Sequence, residues 1–224
     1  FSMFYASPRN LILSIATSVN VNEVMILAEK LFGDISGGGE TKEWDLKLNQ
    51  PKDTEKVLGK EQAYIYFGYA VQGIDKVDLP ALDVLGSIIS GRLAMVIREQ
   101  RGLAYSIGAG FGNVGDVGWF NVAMGTDPKN VDTAKKLIKE VLAEAANASI
   151  SPEEVERVVN STLGRMEMRR ITRKNQAFYR ALGEHTGESY EKYVDALKAM
   201  KPEQVKRVRE KYFTPEKGVF FVVR

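Results

Sequence analysis

The stretch from Ser90 to Gly112 constrains the fold of this chain more than any other, because an apolar helical pattern changes there into a strict alternation. Every second residue from Leu103 to Phe111 is apolar and mostly large, while the even positions from Gly102 onward are glycine, alanine or serine. A strand points alternate side chains to opposite faces, so we predict a strand with one bulky face and one nearly bare face. A bare face lets another segment approach the backbone closely. The pattern favours a packed helix of the same domain as that segment, with an extended peptide as the alternative.

Length and composition describe an ordinary globular chain. Its 224 residues suffice for one large domain or two small ones, with 44% hydrophobic and 27% charged residues. The net charge of +2 is too small to predict nucleic acid or an anionic membrane as a partner. No apolar run approaches the roughly 20 residues that span a bilayer, so no membrane span is predicted. No signal-peptide pattern follows Phe1, and the localisation stays open.

Two absences exclude whole classes of enzyme site. The chain has no cysteine and a single histidine, His185. A zinc site draws three or four ligands mainly from Cys and His, so this chain alone is not expected to bind zinc. A Ser-His-Asp triad would need His185, and the Gly-x-Ser-x-Gly turn that presents such a serine is missing. Carboxylate-only sites for Mg²⁺ or Ca²⁺ stay open, but no EF-hand loop is present and no metal ligand is assigned.

The first sixty residues combine a strand–helix pattern with a connector. Leu11–Ala16 is a short run rich in Leu and Ile, which predicts a buried strand. Asn20 is the predicted N-cap of a helix that ends at Gly33. The apolar stripe of that helix comprises Val24, Leu27, Ala28 and Leu31. Residues 35–60 contain three consecutive glycines without the Gly-Lys-Ser/Thr of a phosphate loop, so a flexible connector is predicted.

The remaining elements complete an α+β order. Strands are predicted over 62–71, 102–112, 117–124 and 219–223. A long apolar helix is predicted to start at Asp78, with Ser90-Gly91 as a potential interruption, and later helices start near Asp127 and Ser151. Three more are predicted over 174–183, 190–200 and 202–212. We therefore predict a single domain over 1–224, with a flexible connector near 35–60. Its fold is a two-layer α+β domain in which several helices cover a mainly antiparallel sheet.

The central stretch also resembles a family signature. Residues 91–106 are GRLAMVIREQRGLAYS, close to the pattern S-R-L-x-x-x-I-R-E-x-R-G-L-A-Y-S of the insulinase/pitrilysin family of zinc peptidases. Gly91 replaces the usual serine. The opening FYASPRNL from Phe4, the segment FGDI from Phe32 and the helix start at Ser151 resemble the second homologous domain of that family. The resemblance covers nearly the whole chain and implies the fold of that metallohydrolase-like domain.

The resemblance implies a function divided between two domains. In that family the zinc motif, His-x-x-Glu-His, lies in a preceding homologous domain, and the second domain supplies an Arg and a Tyr that contact the peptide near the scissile bond. By motif these residues match Arg101 and Tyr105. The implied function is the zinc-free, substrate-clamping half of a zinc metallopeptidase, which binds extended peptides and is inactive as this chain alone. The implied partners are a peptide substrate and a homologous zinc-bearing domain or subunit, within a homo- or heterodimer of the full protein.

The chemistry suits the two residue types. Attack of zinc-bound water on a peptide carbonyl develops negative charge on the oxygen, and an Arg or Tyr donor would stabilise that charge or hold the peptide. On a strand, Arg101 and Tyr105 would share a face about 13 Å apart, so they converge on one carbonyl only if Arg101 lies in the turn. Without the motif, the alternation favours a core position for Tyr105. Arg101 at a helix–strand turn then suits a solvated charge or a helix cap.

Two alternative functions stay open. The same family includes non-peptidase subunits that serve assembly, so a non-catalytic structural subunit is the first alternative. RNA binding is the second, and its candidate residues form a basic run: Arg165, Arg169, Arg170, Arg173 and Lys174. Helical spacing spreads these charges around the circumference without an aromatic platform, so a solvated face or an acidic partner surface is favoured and no nucleic-acid partner is predicted.

Overall fold

The computed structural model describes residues 11–35, 51–115, 117–187 and 189–224. They divide into two compact units. The sheet unit comprises the described residues within 51–162 and 195–224, and the helical unit those within 11–35 and 163–194. The opening motif at 4–10 and the triple glycine of the predicted connector lie outside the described residues.

Within its described residues, the sheet unit contains five strands. They are β1 (Thr54–Lys56), β2 (Ala63–Val71), β3 (Ile107–Val114), β4 (Val117–Thr126) and β5 (Val219–Val223). Their order in the sheet is β1-β5-β2-β4-β3. All neighbours pair antiparallel except β1 with β5. The predicted mainly antiparallel sheet is therefore confirmed, and residues 54–56 of the predicted connector form one of its edge strands.

Strand β2 has the alternation that its sequence predicts. Its odd-numbered residues, from Ala63 to Val71, are buried, whereas Tyr64 and Tyr66 are exposed. Because the side chains of a strand alternate between two faces, one face of the sheet carries the core, and the other, here called the open face, is exposed among the described residues.

The described residues also form seven α-helices. They are α1 (Val21–Phe32), α2 (Leu79–Leu93), α3 (Val131–Asn147), α4 (Pro152–Arg169), α5 (Arg173–Thr186), α6 (Tyr190–Lys198) and α7 (Pro202–Tyr212). Helices α2, α3 and α7 contact one another or the strands, which gives the predicted two layers. The predicted start of α4 is also confirmed, because the Ser151 hydroxyl accepts a hydrogen bond from the Glu154 N–H at 3.2 Å.

Helix α2 is the central helix of the sheet unit. Ser90-Gly91 does not interrupt it, and the chain continues beyond Leu93 as a π-helical segment, Ala94–Gln100. Asp78 precedes it as predicted, but its side chain makes no capping hydrogen bond. The buried carboxylate instead accepts hydrogen bonds from Arg207 and from the Tyr212 hydroxyl. Asp78 therefore joins α2 to α7, because a buried carboxylate needs charged or hydrogen-bonding partners.

The helical stretch Lys76–Gln100 also meets the length and composition of a membrane span, although no span was predicted. It has 25 residues, and its most apolar window has a mean hydropathy of 1.5. In the structure 56% of that window is buried inside the protein. A helix that is apolar on most sides and packed against a sheet is typical of the core of a globular domain.

The core of the sheet unit centres on Phe120 of β4. This ring is fully buried, and the rings of Tyr69, Phe111 and Phe213 lie 5.0 to 5.5 Å from it. These separations are typical of favourable aromatic contacts. Burial raises the pKa of Tyr69, whose hydroxyl accepts a hydrogen bond from the Thr214 N–H at 2.9 Å. The aromatic cluster therefore joins strands from the middle of the chain to its C-terminal part.

Residues 11–35 depart from the prediction in one respect. Helix α1 forms as expected, and the Asn20 side chain accepts a hydrogen bond from the Asn22 N–H at 2.9 Å. The buried strand predicted over Leu11–Ala16 is wrong, because these residues have no regular structure and none is buried. A strand needs a neighbour for its backbone hydrogen bonds, and within the described residues the five-stranded sheet is built without this segment.

Candidate functional site

The two predicted site residues lie in a loop that joins the π-helical segment to β3. Arg101 ends the helix, and the following N–H groups of Gly102 and Leu103 donate to Arg98 and Ile97 carbonyls, both at 3.0 Å. Gly102 has a φ of 61°, a left-handed conformation that glycine adopts without strain. The helix therefore closes at a defined point, and the chain turns sharply there.

The far side of the loop is fixed to strand β4. The hydroxyl of Thr126, a buried residue, donates to the Leu103 carbonyl at 2.6 Å. The Gly125 N–H donates to the Ser106 carbonyl at 3.4 Å. Hydrogen bonds thus hold residues 101–106 at both ends, although they belong to neither a helix nor a strand.

Strand β3 begins at Ile107, later than the predicted Gly102. The alternation of the sequence therefore does not place Tyr105 in the core, and its side chain is 90% exposed. Arg101 is also exposed. The 13 Å separation expected for two strand residues does not apply, because both lie in the loop. Within the described parts of the chain, no hydrogen bond or ion pair engages either side chain.

A shallow depression of about 400 Å³ lies beside Arg101. The residues that line it with Arg101 are Leu103, Thr133, Lys136, Leu137 and Glu140. Lys136 and Glu140 of α3 lie 3.8 Å apart as an exposed ion pair. The lining thus combines two leucines with charges of both signs, a composition that suits aliphatic side chains and hydrogen-bond acceptors.

The small residues of β3 lie on the open face of the sheet. Gly108 pairs with Ala123 of β4, and Ala123 pairs with Tyr66 of β2. Tyr66 in turn pairs with Phe221 of β5, and both aromatic side chains are exposed. The bare face that the sequence predicts is therefore a strip of small side chains next to exposed aromatic residues.

Helix α2 approaches β3 closely, but not over the small side chains of the strand, where the favoured interpretation placed a packed helix. A Cβ atom placed on Gly86 would lie 3.0 Å from the Cα of Gly110. The Ser90 hydroxyl accepts a hydrogen bond from the Ala109 N–H at 3.2 Å. Gly110 itself has nothing within 4 Å of its own Cβ position, so the glycine needed for this approach is Gly86 of the helix.

One arginine of the signature has a structural role that the sequence analysis missed. The Arg92 guanidinium donates to both carboxylate oxygens of Glu154, at 3.2 and 2.8 Å, and to the Ser149 carbonyl at 2.9 Å. A two-pronged pair of this kind fixes geometry as well as charge. The partners are about sixty positions apart in sequence, so no local pattern could have revealed the pair.

The remaining candidates from the sequence are His185 and the basic run. His185 lies in the last turn of α5, as expected, and is exposed. No group of three or more acidic or histidine residues in the described ranges is arranged to hold a metal ion. In the basic run, the Arg170 guanidinium lies 3.6 Å from the Tyr190 ring centroid, which corrects the view that no aromatic residue accompanies these charges. Arg170 is thus engaged within the helical unit.

Sequence comparison places these features in a family. The family model described as the peptidase M16 inactive domain matches residues 1–162. The uncharacterised zinc protease YmxG of Bacillus subtilis is 26% identical over 226 residues, which cover 95% of this chain and 53% of the relative. The non-peptidase homologue YmxG of Helicobacter pylori is 38% identical over 102 residues, or 41% of this chain and 24% of the relative.

A solved structure has the same fold. The peptidase M16 inactive domain from Pseudomonas fluorescens matches 92% of this chain and 51% of its own chain, with a TM-score of 0.77 and 18% identity. At 18% identity, the structural similarity shows a shared fold and carries no statement about function. The chain spans about half the length of the Bacillus relative and of this solved chain.

Proposed function

Because the chain belongs to the family of peptidase M16 inactive domains, we propose that it is the zinc-free, substrate-clamping half of a zinc peptidase. In this proposal a homologous domain with the motif His-x-x-Glu-His, here called the complementary domain, supplies the zinc site. The two together hydrolyse an extended peptide. The proposal gives this chain the tasks of binding and orienting that peptide.

The residues of this chain do not fit a zinc site of their own. The sequence has no cysteine and one histidine, and His185 is exposed at the end of α5. Zinc sites usually need several such ligands together. When bound in the complementary domain, zinc would supply the activated water for hydrolysis, and the residues of this chain would act on the peptide.

The observation that carries the proposal is the position of Tyr105. Its side chain is 90% exposed on a loop that hydrogen bonds fix at both ends. The ring and the hydroxyl are therefore accessible to a peptide beside the loop, and covering the ring would contribute to binding. A phenol hydroxyl without a partner in the described chain is available to donate to a peptide carbonyl.

Arg101 supports the same role. Its guanidinium presents several N–H donors in one plane, an arrangement that suits oxygen acceptors. The helix end and the left-handed Gly102 fix its backbone, so the side chain alone must adjust to bind. Donors held in this way stabilise the negative charge that develops on a carbonyl oxygen at little reorganisation cost.

Hydrolysis of a fluorogenic peptide by this chain together with the complementary domain tests the proposal. We expect hydrolysis only when both are present. Arg101→Ala and Tyr105→Phe should each lower kcat/KM by about 10²-fold, the usual effect of removing one donor to the developing charge. Binding of the complementary domain should stay unchanged, because both side chains are exposed and make no hydrogen bond or ion pair within the described residues.

Arg98→Ala is the matched control. Arg98 lies three residues before Arg101, is half-exposed and forms an ion pair with its neighbour Glu99 at 3.4 Å. Its loss should change kcat/KM by less than about twofold, because exposed ion pairs contribute little. Unchanged hydrolysis in both the Arg101 and the Tyr105 variants would refute the assigned roles.

A second candidate function has one observation in its favour. The Helicobacter pylori relative, which is 38% identical over 102 residues, is a non-peptidase homologue. This chain would then be a structural subunit that assembles with a partner without hydrolysis. A stable complex with the complementary domain that cleaves none of a diverse peptide library would favour this function over the first.

A further inference from the structure

Exposed apolar side chains concentrate in the first described segment. Large hydrophobic residues that are exposed between positions 11 and 35 are Leu11, Ile12, Leu13, Ile15, Val19, Val21, Met25, Ile26, Leu27, Leu31, Phe32 and Ile35. Large exposed apolar patches usually mark interaction sites. The segment therefore has the sequence of a core element, but none of its residues is buried among the described parts of the chain.

Helix α1 has a wide apolar face. At 100° per residue, a continuous arc contains Val24, Leu27, Ala28 and Leu31, as predicted, and also Val21, Met25 and Phe32. The polar residues Asn22, Glu23, Glu29 and Lys30 lie on the opposite side. None of the helix residues is buried. A helix of twelve residues is marginal in water without tertiary packing, so this arc needs a partner surface.

The residues before α1 have the composition of a strand. Leu11–Ala16 is the sequence LILSIA, a run that favours a strand covered on both faces. Its residues have no regular structure here, and the described strands pair among themselves without it. An apolar run of this kind pairs readily with the free edge of a sheet, where backbone N–H and C=O groups lack partners.

The length of the relatives shows that further protein accompanies this domain in them. This chain covers 53% of the Bacillus relative and 51% of the solved Pseudomonas chain, so a comparable length of protein accompanies the matched domain in each. We propose that residues 11–32 are a strand–helix unit of the complementary domain: Leu11–Ala16 joins an edge of its sheet, and α1 packs its apolar arc on the face of that sheet. This inference rests on the proposed function, since it takes the zinc-bearing domain as the partner.

Hydrogen exchange of this chain, free and mixed with the separately expressed complementary domain, tests the inference. We expect the amides of Ile12 to Ile15 to exchange rapidly in the free chain and at least about tenfold more slowly in the complex, because strand pairing protects the N–H groups. Protection of these amides in the free chain at high concentration, without the complementary domain, would identify a second copy as the partner and overturn the inference.

Three variants sharpen the test. Leu27→Asp places a charge in the apolar arc and should weaken the complex at least about tenfold. The control, Lys30→Asp, introduces aspartate on the polar side of the same helix. It should change the affinity for the complementary domain by less than about twofold. Ser14→Pro removes a backbone donor from the proposed strand and should weaken the complex like Leu27→Asp. Circular dichroism of the free variants checks that the fold of the chain is kept.

The outcomes separate this inference from the proposed function. If a complex forms and hydrolyses peptide in an Arg101-dependent way but leaves residues 12–15 unprotected, the docking inference fails and the proposed function stands. If residues 12–15 become protected but hydrolysis is insensitive to Arg101 and Tyr105, the docking inference stands and the assigned roles fail. Equal affinity of the Leu27→Asp and Lys30→Asp variants also overturns the inference.

Discussion

Helices α1 and α2 share a sequence pattern but not an environment. Both have predicted starts and apolar residues at helical spacing. In α2 the side chains of Leu82, Leu85 and Ile89 are each 1% exposed, whereas Leu27 of α1 is 54% exposed and no residue of that helix is buried. The periodicity therefore determines that a helix forms and which face is apolar. Burial depends on whether the surface that complements this face is part of the same chain.

The largest expected effect is the difference in unfolding free energy between two alanine substitutions, one in the core and one in α1. Phe120→Ala should lower the free energy of unfolding of this chain by about 3–5 kcal/mol, because the ring is fully buried among three other aromatic rings. Leu27→Ala should change it by less than about 0.5 kcal/mol. Urea denaturation measures both values. A loss of several kcal/mol for Leu27→Ala would show that α1 has a core within this chain and would break the comparison.

A smaller effect distinguishes packed from open positions within α2. Gly86→Val should cost about 1–3 kcal/mol, because its branched side chain would collide with the β3 backbone at Gly110. Gly91→Val lies in the same helix with nothing within 4 Å of its Cβ position and should stay within about 0.5 kcal/mol of the native chain. Thermal or urea unfolding of the pair checks the close helix–strand approach. Equal stabilities would contradict it.

The smallest effect concerns acid. A hydrogen bond from Lys211 lowers the pKa of the Asp75 carboxyl below its ordinary value of 3.8. Because the folded pKa is depressed, this carboxylate contributes stability above its unfolded pKa and loses that contribution as the pH falls through the folded pKa. Asp75→Asn should remove this part of the acid dependence, which urea denaturation at a series of pH values below about 4 measures. An unchanged pH profile would show that the exposed pair is negligible.

Much of the fold was predictable because the signals are local. The family comparison confirms the resemblance that residues 91–106 suggested, and the fold comparison confirms the α+β class. The start of α4 at Ser151 follows from side-chain capping within one turn. The Arg92–Glu154 pair was not predictable, because it joins residues distant in sequence that only the packed helices bring together.

The candidate site shows the same division on a smaller scale. The motif identified Arg101 and Tyr105, whereas the alternation alone favoured a buried Tyr105 that the structure does not have. The alternation failed because Thr126 and Gly125 of β4 hold residues 103 and 106 in a loop and delay β3 to Ile107. Which alternating residues pair in a sheet depends on the neighbouring strand.

The sequence by itself determined the helices, the alternation of β2, the lack of a cysteine- and histidine-rich metal site and the family signature. Each of these depends on composition or on residues within one or two turns of each other. Tertiary structure decided the insertion of β5 between β1 and β2, the start of β3 and the exposure of α1. The physical reason is that backbone hydrogen bonds between strands, and the burial of an apolar face, both require a partner that is distant in sequence.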